Sequence, residues 1–130
     1  MDGLDEIRLT GLKVFGHHGV YPQERREGQW FLVDFAVRLD TRRAARTDDV
    51  ADTVHYGELA ERVAAIVSGE PVDLIETLAA RIADALLAPT LVQAAEVTVH
   101  KPDAPIEQPF ADVTVTIRRT RGDADTRGAL

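Results

Sequence analysis

The sequence has no cysteine among its 130 residues. That excludes a disulfide framework, a thiol nucleophile, an iron–sulfur cluster and any cysteine-based zinc site. Lysine is nearly missing as well: of 15 basic residues only Lys13 and Lys101 are lysines, and the other thirteen are arginines. The contrast matters because lysine, unlike arginine, readily gives up its proton in a protein site. Basic charge is in deficit overall, 15 against 22 acidic residues for a formal net charge of −7. Non-specific nucleic-acid binding needs the opposite balance. No apolar run approaches the roughly 18–20 residues of a membrane span. The opening Met-Asp-Gly-Leu-Asp-Glu is acidic where a secretory signal is basic and then apolar. A soluble cytoplasmic protein is the expectation.

What is present is ordinary globular composition, 45% apolar and 28% charged, at a length that suits one domain. Ile7 and Leu9, then Leu12 and Val14, alternate around Gly11 and lead through Phe15 into a Gly16-His17-His18-Gly19 corner. The pattern predicts a strand broken or bulged at Gly11. Gln29–Asp40 is the clearest strand, with Phe31, Val33, Phe35, Val37 and Leu39 on one face and Asp34, Arg38 and Asp40 on the other. Between them, Tyr21-Pro22 to Glu27-Gly28 reads as a polar loop.

The period then changes. Leu59, Val63, Ile66 and Val67 predict an amphipathic helix over Gly57–Ser68, stopped by Gly69 and Pro71. A second helix presents Leu74, Ile75, Leu78, Ile82 and Leu86, with Asp73 as the expected cap and Pro89 as the terminator. Alternation returns at Val97 and Val99, and again at Val113, Val115 and Ile117. Between these strands Lys101–Pro109 is too proline-rich to be regular. The order β-β-α-α-β-β predicts an α+β domain over residues 1–119, a four-stranded antiparallel sheet with two helices on one face. The Gly-rich tail Thr120–Leu130 is expected to be disordered. The second face of the sheet is polar and its outer strands are open edges, so self-association through those edges is expected.

Taken singly, the chemical candidates are weak. His17, His18, His55 and His100 contain no HxH or HxxxH pair, and adjacent histidines on a strand point to opposite faces. No metal site is expected, and strand-end or capping roles suit these histidines better. Glu24 lies in the polar loop, Tyr56 begins a helix, and Glu76 sits beside an apolar stripe near a helix N-terminus, where the dipole favours a carboxylate. Lys101 closes a strand in a chain that otherwise avoids lysine.

Together they form a recognisable pattern. His18-Gly19, Glu24 and Gly28-Gln29, then Asp52-Thr53-Val54-His55-Tyr56-Gly57-Glu58, then Leu74-Ile75-Glu76-Thr77-Leu78-Ala79, then Val99-His100-Lys101-Pro102 with Pro105-Ile106, follow in order between Ile7 and Arg119. This series resembles the dihydroneopterin aldolase family. The resemblance implies the tunnelling fold, in which subunits join their sheets into a ring and two tetrameric rings stack into a homo-octamer with active sites between subunits. It also implies a cofactor-free and metal-free retro-aldol reaction in folate biosynthesis, splitting 7,8-dihydroneopterin into 6-hydroxymethyl-7,8-dihydropterin and glycolaldehyde. Epimerisation to 7,8-dihydromonapterin through the same enol is implied too.

By the same resemblance Lys101 is the general acid/base and Tyr56 relays a proton at the enol stage. Glu24 holds the lysine network or the side-chain hydroxyls. Glu76 accepts two parallel hydrogen bonds from the pterin's amino edge, and the backbone at Val20, Val54 and Ile75 frames the ring. One departure is visible: where many relatives read Pro-Ile-Pro, this chain has Pro105-Ile106-Glu107. The added carboxylate would favour a charged Lys101 if it came close; an orientation toward solvent is expected. Two alternatives stand beside the aldolase. A dihydroneopterin-triphosphate epimerase needs surplus cations, for which Arg25 and Arg26 are the local candidates. A non-catalytic pterin-binding ring protein would not need Glu24, Tyr56 and Lys101 together.

Overall fold

The computed structural model describes residues 3–122. Strand β1 (Asp5–Gly16) runs antiparallel to β2 (Gln29–Leu39), β2 to β3 (Ala94–His100), and β3 to β4 (Thr114–Thr120), giving the sheet order β1-β2-β3-β4. The register of β1 on β2 shifts between Leu9 and Leu12, and Gly11 at the break has a φ of 76°. Only glycine takes that value cheaply. Its amide donates to Asp34 Oδ1 at 2.8 Å, so the bulge is fixed by a side chain of the neighbouring strand.

The strict alternation in β2 has its expected result. Phe31, Val33, Phe35, Val37 and Leu39 are all fully buried against helices α3 (Tyr56–Ser68) and α4 (Ile75–Leu86). The helices contribute Leu59, Val63 and Val67, and Leu78, Ile82 and Leu86. Apolar residues of the outer strands, such as Leu9, Leu12, Val115 and Ile117, are only half-buried. The polar face is cross-linked instead of bare. Glu96 pairs with Arg8 and Arg118, and Thr98 hydrogen-bonds Thr116. His100 bridges Asp34 and Asp112 at 2.7 Å each.

Four details differ from the sequence reading. The segment expected as a loop contains a short helix, α1 (Pro22–Glu27). Pro22 suits a first helical position because its missing N–H has no partner there anyway, and Glu24 accepts from the Tyr21 amide at 3.3 Å. Six residues are too few to show a helical period. A second short helix, α2 (Arg42–Thr47), and a 3-10 turn at Val50–Asp52 bury nothing and left no apolar signal. Asp73 does not cap α4: Leu74 holds that position with no side-chain cap, half-exposed rather than part of the apolar face, and Asp73 pairs with Arg25. Finally, Thr120 belongs to β4, and Arg121 donates to the carbonyls of Leu87, Pro89 and Val92. Residues 123–130 of the expected disordered tail lie outside the described residues.

Candidate active site

Lys101 follows directly on β3. Its amide donates to Val113 O at 2.8 Å, and its own carbonyl accepts from Ala104 at 3.2 Å as the chain turns into the proline-rich loop. Next to it, His100 is held by carboxylates on both ring nitrogens. Burial disfavours a charged ring, but the bonds to Asp34 and Asp112 outweigh it and raise the His100 pKa above its ordinary value. The end of β3 is thereby fixed to β2 and to the entry of β4.

Glu24 comes from the first turn of α1 to meet Lys101. Its Oε2 lies 2.6 Å from Lys101 Nζ, and the side chains are only 8% and 11% exposed. Gln29 Nε2 donates to the same oxygen at 3.0 Å, and the Tyr21 amide reaches Oε1. Burial pushes the Glu24 carboxyl up, yet the hydrogen bonds from Lys101, Gln29 and Tyr21 prevail and hold it below the usual carboxylate range. The carboxylate and the amine are in direct contact and shielded from water, a charge-assisted pair that fixes the position of both groups. Gly19 makes room for it: a Cβ there would fall 2.2 Å from Glu24 Oε1, and its φ is 154°. Gln29 stands in the family series, but in the sequence it reads only as the polar start of a strand. Its buried Oε1 has no hydrogen-bond partner among the described residues.

Behind this pair, His18 is fully buried. Its Nδ1 accepts from the Val72 amide at 3.1 Å and its Nε2 donates to Val67 O at 2.6 Å, an arrangement that requires the neutral ring. Burial lowers its pKa accordingly. Gly19 N donates to Val72 O at 2.9 Å. The turn after β1 is thus bolted to the end of α3 and to the loop before α4. His17 Nδ1 contacts the Arg25 carbonyl at 3.0 Å, and His55 caps α3 by accepting from the Glu58 amide at 3.2 Å. The histidines therefore serve as bolts and caps.

The remaining predicted residues fall into separate groups. Val20, 62% exposed, lines a cleft with Val72, Leu74 and Thr77, and Glu76 is exposed on the same first turn of α4, beside buried Ile75. Glu107 is exposed on the rim of a neighbouring cleft floored by Glu24 and Gln29, as anticipated, so the carboxylate that meets Lys101 is Glu24. Val54 lines a third cleft with His55, Pro89 and Leu91. Tyr56, 63% exposed, opens α3 beside it. From Tyr56 the helix runs about 18 Å to its other end, and that end, through Val67, is the one that touches His18. One chain therefore unites Glu24 with Lys101 and lines an adjoining cleft with Val20, with Ile75 and Glu76 on the helix turn that also carries Thr77, while Val54 and Tyr56 stand at the other end of α3.

The family model for dihydroneopterin aldolase (FolB) matches residues 7–118. The chain belongs to the dihydroneopterin aldolase family. It is 61% identical over 118 residues to a dihydroneopterin aldolase of Streptomyces coelicolor, covering 91% of this chain and 99% of that one. It is 41% identical over 119 residues to the Bacillus subtilis dihydroneopterin aldolase, again covering 91% and 99%. Among solved structures, E. coli dihydroneopterin aldolase in complex with neopterin superposes with a TM-score of 0.81 at 34% identity, covering 88% of this chain and 98% of that one. The four-stranded sheet with its helical layer is the tunnelling fold of the dihydroneopterin aldolases. The chain is accordingly an enzyme, an aldehyde-lyase of folate biosynthesis. No helix among the described residues is long and apolar enough to cross a membrane.

Proposed function

We propose that the shielded Glu24–Lys101 contact at 2.6 Å is the acid/base centre with which this aldolase cleaves 7,8-dihydroneopterin. The reaction breaks the bond between the first and second side-chain carbons. A base removes the proton of the second carbon's hydroxyl, glycolaldehyde leaves, and the bonding pair passes into the ring's own C=N bond as the ring nitrogen takes a proton. The resulting enol is then protonated on carbon to give 6-hydroxymethyl-7,8-dihydropterin. The dihydropterin is its own electron sink, so the step as written uses no metal ion and no Schiff base. Lys101 moves the protons, directly or through water, and ionised Glu24 orients it. The open acceptor of Gln29 beside them suits a substrate hydroxyl. Glu76 accepts from the amino edge of the pterin, with the ring between the Val20 turn and Ile75. The neopterin bound by the E. coli relative supports a pterin ligand here.

In this reading Tyr56 and Val54 reach the site from a second copy of the chain. The length of α3 keeps them from the Glu24 end of their own chain, and the half-buried edge strands leave room for sheet-to-sheet association. A homo-octamer of two stacked tetrameric rings, working in the cytoplasm, is the assembly the resemblance implies. Epimerisation to 7,8-dihydromonapterin follows if glycolaldehyde turns over before it recombines with the enol. The triphosphate epimerase draws less support, because Arg25 is already engaged with Gly19 and Asp73.

The test is turnover by purified protein with 7,8-dihydroneopterin and a chelator present, the products being separated by chromatography. Stoichiometric glycolaldehyde and 6-hydroxymethyl-7,8-dihydropterin are expected. A monapterin isomer in the same run reports the shared enol. No cleavage would refute the reading.

A further inference from the structure

We propose that Arg25 is a positioning residue that sets the spacing between the Gly19–Val20 turn and the start of α4, and through it the affinity for the pterin ring. The inference rests on the reading of that cleft as the ring site. Arg25 Nε donates to Gly19 O at 3.0 Å, and the other end of the guanidinium pairs with Asp73, two residues before α4 begins. Val20, next to Gly19, lines the cleft on one side; Val72, Asp73 and Leu74 line it on the other. Arg25 is therefore bonded to both walls, and its own carbonyl is held by His17. The planar fork presents Nε to the carbonyl and Nη2 to the carboxylate from separate, fixed positions.

Two observations show that the tie is more than a surface ion pair. Asp73 stands where a cap for α4 is expected, yet the helix start has no side-chain cap and Asp73 faces Arg25. Capping would have favoured the helix; the pairing instead ties α1 to the loop before α4, beside the bond from Gly19 N to Val72 O. Secondly, Glu24 and Arg25 are consecutive on α1, so one short helix sends the acid/base carboxylate to Lys101 and the guanidinium to the ring cleft. The spacing between the reacting centre and the ring is thereby set by a single rigid turn. The Arg25 and Asp73 side chains are 39% and 63% exposed, and a pair that exposed contributes little to folding. A loss of ring affinity on cutting it is then separable from a loss of structure.

The experiment compares Arg25→Ala, Asp73→Ala and the double variant as intact assemblies, alongside Glu76→Ala. It measures KM and kcat with 7,8-dihydroneopterin, direct binding of neopterin, and the thermal midpoint. Each single variant is expected to raise KM and the neopterin Kd about tenfold with kcat within about threefold, and the double to be no worse than either single, because one tie is cut in all three. Arg25→Lys should recover only part of the affinity, since an ammonium cannot span both partners. Unchanged KM in Arg25→Ala, or penalties that multiply in the double variant, would overturn the proposal. Lost affinity in Glu76→Ala with none lost in Arg25→Ala refutes the positioning role and keeps the ring site. Affinity kept in both refutes the ring site as well.

Discussion

Glu24 Oε2 and Lys101 Nζ, brought from opposite ends of the chain, stand 2.6 Å apart with about a tenth of each side chain exposed. Among the described residues neither has another oppositely charged side chain this close, so each is the other's counter-ion. Lys101→Ala should lower kcat by about 10²–10⁴-fold, the usual worth of a general acid/base, while neopterin binding persists through Glu76. Near-normal turnover in that variant would remove Lys101 from the mechanism. Glu24→Gln keeps the shape and removes the charge, and should lower kcat more than it raises KM.

A site shared between copies makes a sharper prediction. Lys101→Ala and Tyr56→Phe proteins, each impaired alone, should regain activity when unfolded together and reassembled. Random mixing leaves about a quarter of the sites with an intact lysine from one chain and an intact tyrosine from the other. No gain on mixing would show that both groups act within one chain.

Gly19 is tested by adding a single carbon. Its φ of 154° is unfavourable to other residues, and a Cβ would fall 2.2 Å from Glu24 Oε1. Strain of about 1–3 kcal/mol is expected, released by moving the carboxylate away from Lys101. Gly19→Ala should fold, bind neopterin and lose at least about tenfold in kcat. Activity equal to that of the parent would mean that the position of Glu24 is not critical.

His18 and His100 predict pH limbs of opposite sign. Burial depresses the His18 pKa below the usual 6.5, so the stability it contributes is complete above that pH and is lost as pH falls toward the folded-state value. The His100 pKa is raised by Asp34 and Asp112, so its contribution is complete below 6.5 and is lost as pH rises through the folded-state value. Thermal midpoints measured across this range should fall on both sides. His100→Asn should flatten the alkaline limb and leave the acid limb in place.

Arg121 tethers the segment between α4 and β3 from beyond the last strand. It donates to Leu87 O at 2.7 Å, Pro89 O at 2.8 Å and Val92 O at 3.1 Å. Removing it takes the side-chain donor from Leu87 O and Val92 O, while Pro89 O keeps the Val92 amide, at about 1–3 kcal/mol. Arg121→Ala should lower the thermal midpoint by roughly 5–10 °C without changing KM. An unchanged midpoint would refute the tether.

The layered fold was determined by the sequence itself, for a plain physical reason. A strand buried on one face must alternate with period two, as Phe31 to Leu39 do, and a helix on that face must repeat near 3.6, as Leu59 to Val67 do. Short elements carry no such period, so the six residues of α1 read as a loop although Pro22 starts a helix there. The site lay further from reach. Glu24, Glu76 and Lys101 each read as an ordinary surface charge; only their likeness to a family series singles them out, and the same likeness assigns no role to Gln29 and, for Arg25, only a phosphate contact in the alternative reading. Which charge meets which depends on where the chain turns in space. The sheet register brings Lys101 to the α1 segment, Gly19 clears the volume that Glu24 occupies, and Asp73 turns from α4 to Arg25. These contacts join residues far apart in the chain, where local periodicity holds no information, and only the tertiary structure decided them.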